Sequence, residues 1–317
     1  MASAEPPESI AELAAAVKAG GRAAVARALN LVEDRRPAAR QPIAELLRLL
    51  GEGRDDGHRV GLTGPPGVGK STLASALAGE LRKRGSTVGV LAVDPSSKRS
   101  GGALLGDRVR IDTRPEDEGL FVRSLATAGE LGGLARAAPA SVLVLAAAFD
   151  RVLVETVGVG QSETDVEYVV DTVIFVVQPG SGDALQFLKA GIMEIPDVLV
   201  VNKSDMGDAA VRARAELLGA LRAERGAGIT HGAGPEVVMA SAANRRGLDE
   251  LVDAIERHRA AQRASGALAE RRVQGQVEWG LRELARRIGE EGIEREGGRD
   301  AVRRRIDTRV RNGGGAL

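Results

Sequence analysis

The sequence contains no cysteine. Disulfides, thiolate nucleophiles and cysteine-ligated zinc or iron–sulfur sites are therefore excluded. Aromatic residues make up only 2% of the 317 residues, so a stacking platform for single-stranded nucleic acid is not expected. Neither sign of charge is in excess: 44 Lys and Arg balance 44 Asp and Glu, which argues against a general nucleic-acid binder. Long apolar runs are lacking too. The longest, residues 142–149, falls far short of the roughly 20 residues a membrane-spanning helix needs. The opening MASAEPPESI lacks the basic and apolar regions of a signal peptide. The expectation is a soluble, cytoplasmic chain with neither nucleic acid nor membrane as partner.

What is present suits a globular protein. Apolar residues make up 43% of the chain, enough for a substantial core. The length fits one large domain with extensions, or two domains. Three parts are expected: a helical extension over 1–57, a nucleotide-binding domain over 58–262, and a helical dimerisation arm and tail over 263–317. In the first, Ile10, Leu13 and Val17 share a helical face, as do Val25, Leu29 and Val32; a third segment carries Ile43, Leu46, Leu47 and Leu50. In the second, β-branched runs at 59–63, 88–94, 152–155, 172–177, 197–202 and 236–240 alternate with helical stretches such as 71–84 and 209–224. That alternation predicts an α/β fold with a mostly parallel sheet covered by helices on both faces. In the third, Val277, Leu281, Leu284 and Ile288 form a stripe at helical spacing that suits either core packing or dimerisation. The arginine- and glycine-rich end reads as frayed.

Chemistry begins at the first strand. Gly64-Pro65-Pro66-Gly67-Val68-Gly69-Lys70-Ser71 fits G-x-x-x-x-G-K-[ST], with Thr72 following, between an apolar strand and a helix. The glycines let backbone N–H groups wrap phosphates, Lys70 reaches the β- and γ-phosphates, and the Ser71 hydroxyl can ligate Mg²⁺. Asn202-Lys203-Ser204-Asp205 follows another apolar strand and matches the N-K-x-D pattern of guanine recognition. A carboxylate at Asp205 accepts from guanine N1–H and its 2-amino group. Adenine offers neither donor and would leave that carboxylate unpaired. Lys203 can lay its methylenes along the base, and Ser241-Ala242-Ala243 follows a further strand as the backbone loop beside guanine. The ligand expected is GTP or GDP.

Two segments are placed to sense the γ-phosphate. Glu155-Thr156-Val157-Gly158 resembles a D-x-x-G switch with Glu for Asp. Glu155 could hold Mg²⁺ and the Gly158 N–H could contact the phosphate. Asp94 and Asp107 are candidate Mg²⁺ carboxylates, or else caps of turns. Gln161 lies three residues beyond Gly158, removed from the position of a water-orienting glutamine directly after the glycine, and is kept as a switch candidate.

With GPPGVGKST, DPSS followed by GGALLGDRVR, VETVGVGQSE, QPGSGDALQFLKAGIMEIPD and VVNKSD, the chain resembles the MeaB/ArgK-type P-loop GTPases, the family of the methylmalonic aciduria type A protein. The likeness spans residues 10–290. It implies a SIMIBI-type P-loop NTPase fold and a homodimeric GTPase. Such proteins assist adenosylcobalamin-dependent acyl-CoA mutases, chiefly methylmalonyl-CoA mutase, by gating cofactor loading and protecting the enzyme. By position it implies Asp94, Asp107 and Glu155 as Mg²⁺-associated acids. It further implies a third switch over 178–190, with Asp183 and Lys189 as its charged members, that passes nucleotide state to the mutase. After DPSS the family usually continues Pro-Phe-Thr, whereas this chain has Lys98-Arg99-Ser100. Three alternatives are a nucleotide-dependent kinase, a metallochaperone-type GTPase and a non-enzymatic scaffold that merely binds GDP. The second fits poorly, because there is no cysteine and His58, His231 and His258 are scattered along the sequence.

Overall fold

The computed structural model describes residues 9–51, 53–54, 56–94, 117–126, 136–156, 165–180, 196–226 and 234–314. Seven strands form one sheet: β1 (His58–Thr63), β2 (Val88–Asp94), β3 (Leu120–Ala126), β4 (Arg151–Glu155), β5 (Thr172–Val177), β6 (Val198–Val201) and β7 (Glu236–Met239). Their order is β3-β2-β4-β1-β5-β6-β7, and every pairing is parallel. β1 is central. The chain moves to one side of it through β2, β3 and β4, then crosses to β5 on the other. Ligand crevices in open α/β sheets form at such a reversal, beyond the carboxyl ends of the strands.

Side chains alternate across the sheet, so each strand feeds two cores. Val60, Leu62, Ile174, Val176 and Val200 face a layer made by α4 (Lys70–Lys83) and by the helix Leu248–Ser265, named α7 below. On the opposite face, Val152, Val154 and Val173 pack on α5 (Ala138–Ala148). Phe175, Val177, Leu199 and Val201 there pack on α6 (Asp208–Gly226). Burial on both faces is why β1, β5 and β6 are buried along their whole length.

Outside α5 lie α1 (Ile10–Lys18), α2 (Arg22–Glu33) and α3 (Arg40–Leu50), whose apolar stripes Leu13/Val17, Val25/Leu29/Val32 and Leu46/Leu50 join the α5 core. α1 starts at a reciprocal cap: the Glu12 N–H donates to Ser9 Oγ at 3.2 Å, and the Ser9 N–H donates to Glu12 Oε2 at 2.8 Å. At the other end, α8 (Ala267–Arg295) breaks at Gly289, where φ is +71°, and α9 (Arg299–Arg311) folds back on it.

The run at 142–149, given no secondary structure from sequence, is mostly α5, since a short apolar stretch carries no period that separates strand from buried helix. Three sequence expectations change. β3 has no counterpart among the expected strands. It is an edge strand, its middle half-buried, and its Arg123 reaches out to Glu33 at 2.6 Å and to Asn30 at 2.8 Å on α2. The arginine-rich end is not frayed through Arg311: Val302, Ile306 and Val310 bury one face of α9 against Val277, Leu281 and Ile293. Ile288, expected in the Val277 stripe, is 38% exposed beside the Gly289 break.

Candidate nucleotide-binding site

The glycine-rich loop leaves the end of β1 and enters α4 at Lys70. Two of its glycines are required by geometry. Gly64 has φ +137°, and a Cβ there would overlap the Val176 carbonyl of the neighbouring strand β5. Gly69 has φ +93°, and its Cβ would come within 2.7 Å of Asn202 Nδ2. Lys70, 7% exposed, arches over the loop and donates to the carbonyls of Gly64 at 2.7 Å and Pro65 at 3.0 Å. The first turn of α4 adds the positive end of a helix dipole. Pro66 and Gly67 are exposed, Pro65 and Val68 are buried, and Thr72 is exposed in the first turn.

Ser71 meets the acid expected of it. β4 pairs beside β1, in register Leu62 with Glu155, which brings Glu155 alongside the start of α4. The Ser71 hydroxyl donates to Glu155 Oε1 at 2.5 Å. Next to it, Thr156 Oγ1 lies 3.1 Å from Thr63 Oγ1, tying the ends of β4 and β1 together.

The guanine-type loop is joined to the phosphate loop by one buried amide. Asn202, 2% exposed, donates from Nδ2 to the Val68 carbonyl at 2.8 Å. Its Oδ1 accepts the Ala242 N–H at 3.1 Å. A single carboxamide thus fixes the spacing between the loop at 64–71 and the loop at 241–243. Lys203 sits at φ +57° and donates to the Gly67 carbonyl at 3.0 Å and to Gln178 Oε1 at 2.5 Å. Ser241 Oγ donates to Asp205 Oδ1 at 2.5 Å. That bond is the main reason the Asp205 carboxyl is held below the usual carboxylate range, so it is an anion at neutral pH. Ala243 is exposed beside buried Ser241 and Ala242.

Several expected residues lie outside this picture. Asp107, Gly158, Gln161, Asp183 and Lys189 fall outside the described residues, as does the Lys98-Arg99-Ser100 tip. Asp94 closes β2, and only its backbone is described. Gln178 is the first residue of the expected third switch. Its place directly after β5, beside the strand that leads to Asn202, was the available signal for its contact with Lys203.

The histidines need a correction. His58 and His258, far apart in sequence, share one hydroxyl: Thr172 Oγ1 lies 2.7 Å from His58 Nε2 and 2.7 Å from His258 Nδ1. Asp171 and Asp197 flank the pair, at 3.6 Å from His58 and 3.2 Å from His258. Arg272 holds Asp171 at 2.7 Å. The group sits at the amino ends of β1 and β5, away from the phosphate loop. Among the described residues no three His, Asp or Glu side chains are grouped to hold a metal.

A parallel sheet with a glycine-rich phosphate loop between its central strand and a helix defines a P-loop nucleotide-binding protein. The family is shown directly. A model of the methylmalonyl-CoA mutase-associated GTPase MeaB matches residues 25–294, and the chain belongs to that family. A Pyrococcus abyssi protein named as a putative GTPase is 46% identical over 83% of this chain and 80% of its own. The GTPase ArgK of Escherichia coli is 40% identical over 86% of this chain and 82% of its own. A crystal structure of a LAO/AO transport system kinase superposes with a TM-score of 0.72 at 33% identity, covering 98% of this chain and 94% of that one. Membership implies binding of GTP and GDP. No helix of the described residues is long and apolar enough to cross a membrane.

Proposed function

We propose that this protein is a Mg²⁺-dependent GTPase. In this reading it acts as a homodimer in the cytoplasm and gates adenosylcobalamin loading into an acyl-CoA mutase, chiefly methylmalonyl-CoA mutase. The observation that supports it most is the Asn202 bridge between the phosphate and guanine-type loops, in a chain that belongs to the MeaB family. The bridge couples base recognition to phosphate geometry, because one side chain spaces both.

Each residue then has a role. Backbone N–H groups of 64–71 and the start of α4 hold the phosphates, and Lys70 exchanges its loop carbonyls for phosphate oxygens. Asp205 accepts from the guanine edge, oriented by Ser241. Lys203 packs along the base while pinned to Gly67. The Ser71 hydroxyl and the Glu155 carboxylate converge as hard oxygen donors, a set that fits Mg²⁺. Asp94 and Asp107 complete that set in this proposal. The ion supplies charge neutralisation for the phosphoryl group in flight. Gly158 and Gln161 then follow the γ-phosphate, and Asp183 and Lys189 carry its state to the mutase. The helices after 263 form the dimer arm.

The test is GTP hydrolysis by the purified protein, alone and with an adenosylcobalamin-dependent mutase from the same genome. Slow turnover that rises on adding the mutase is expected. Turnover indifferent to every such mutase would remove the partner and keep the GTPase. A second reading is phosphate transfer to a small molecule, and it is favoured by the likeness to a protein named as a transport system kinase. Radiolabel from γ-labelled GTP recovered on a small molecule rather than as free phosphate would establish it.

A further inference from the structure

We propose that the protein carries a second ligand site, for a small amphipathic anion, in a cavity remote from the phosphate loop. The ligand class is an apolar body bearing one carboxylate or phosphate group. The cavity is about 1110 Å³ and lies between the α2–α3 corner, α5, α8 and the end of α9. That volume suits a bound molecule of drug size or larger. Arg272, one of its lining residues, also donates to the Gly57 carbonyl at 3.1 Å and to Asp171. One wall of the cavity therefore lies near the amino ends of β1 and β5, whereas the phosphate loop leaves the carboxyl end of β1.

Its lining has two characters. Ile43, Leu47, Leu143, Val273 and Trp279 supply apolar wall. Arg35, Arg40, Arg48 and Arg309 line the same space, and none of their four guanidinium groups makes a hydrogen bond or ion pair among the described residues. The acids of the lining do not answer them. Glu33 is held by Arg123, Asp34 by Arg36, and Glu283 by both Arg136 and Arg287. Among the described residues of the lining only Glu45 remains, one helical turn from Arg48 and forming no ion pair with it.

Uncompensated guanidinium groups over an apolar wall match one ligand chemistry. An anionic head recovers charge-assisted, often bidentate bonds from arginine. An apolar tail removes the exposed wall from water. A neutral ligand would leave these solvent-exposed arginines to water, and a cationic one would be repelled. The excess of cation over acid among the described lining residues thus selects the sign, and the wall selects an amphiphile over a free inorganic ion.

Trp279 is the single tryptophan of the chain and lines the cavity, so intrinsic fluorescence reports on it directly. The full chain is titrated with dodecanoate, dodecyl maltoside and dodecyltrimethylammonium, each below its micelle-forming concentration. Calorimetry runs in parallel, and a Trp279→Phe variant serves as the spectroscopic blank. Saturable binding of dodecanoate is expected, with the neutral and cationic amphiphiles bound at least tenfold more weakly. Losing two arginines in Arg40→Ala/Arg48→Ala should weaken dodecanoate roughly tenfold or more, since each charge-assisted bond is strong. The same variant should keep wild-type GDP affinity, which shows that it is folded. Absence of binding, equal binding of all three head groups, or an affinity untouched by the arginine substitutions would overturn the proposal. Binding to phosphatidylglycerol vesicles without binding of monomeric dodecanoate would overturn it too, in favour of a membrane surface.

Discussion

Replacing Asp205 by Asn tests the assignment of the base site at a single atom. Asp205 is exposed, and its carboxylate is set by the 2.5 Å bond from Ser241 Oγ. As an anion it can accept from both donors of the guanine edge. Asn keeps one acceptor and presents an NH₂ donor to the 2-amino group of guanine. One charge-assisted bond is lost, the other becomes neutral, and two donors face each other. Because hydrogen bonds to a charged group are stronger than neutral ones, the expected loss is roughly 30- to 1000-fold in GDP affinity. Xanthine carries a carbonyl where guanine carries the amine, so Asp205→Asn should bind XDP more tightly than GDP, reversing the wild-type order. The assay is titration of fluorescent GDP and XDP analogues against both proteins, with thermal melting as a control for folding. A GDP affinity within threefold of wild type, or an equal loss for both nucleotides, would refute the reasoning and move the base elsewhere.

Three further outcomes are expected. Asn202→Ala strips hydrogen bonds from the Val68 carbonyl and the buried Ala242 N–H; a loss of about 2–4 kcal/mol in guanidinium unfolding, together with weakened GDP binding, is expected. Lys70→Met should lower GTP turnover by roughly 100-fold or more, read as phosphate release, while leaving the circular dichroism of the sheet unchanged. His58 is buried, and burial pushes its pKa down to about 4, so folding favours the neutral ring. Between pH 6.5 and 4 the unfolded chain takes up a proton that the folded chain refuses, so stability falls as pH falls, by about 3 kcal/mol over that window. His58→Phe should flatten that part of a urea-denaturation pH series, and an unchanged slope would remove His58 as the cause. Asp171 does not confuse the result. Burial raises its carboxyl, but the Arg272 hydrogen bonds and the surrounding positive charge outweigh burial and hold it down to about 2. Its stabilisation is therefore full above the ordinary carboxylate range and is lost as pH falls from there through about 2. Glu167, whose carboxyl burial raises, titrates in both proteins and drops out of the difference.

Much of the site was legible because its chemistry is local. The phosphate loop needs consecutive backbone N–H groups, so its residues are contiguous, and the strand before and helix after it are short-range patterns. The N-K-x-D stretch is similarly compact. Ser71 and Glu155 are legible as two separate ligands, but their 2.5 Å contact depends on β4 pairing beside β1 across 84 residues. The Asn202 bridge is not legible. The motif groups Asn202 with its sequence neighbours on the base, whereas its amide bonds the backbone of two other loops. β3 escapes notice because an edge strand buries too little to read as an apolar run, and Arg123 interrupts it to reach α2.

By itself the sequence determined the α/β class, the phosphate loop, the guanine-type loop and the family, since each rests on residues that act within a few positions of one another. Tertiary structure alone decided the strand order, the reading of 142–149 as helix, and the meeting of His58 and His258 on Thr172. It also decided the gathering of Arg35, Arg40, Arg48, Arg309 and Trp279 on one cavity. These are non-local facts. They arise when parallel strands and their crossovers bring distant segments together, and no spacing along the chain encodes which distant partners will meet.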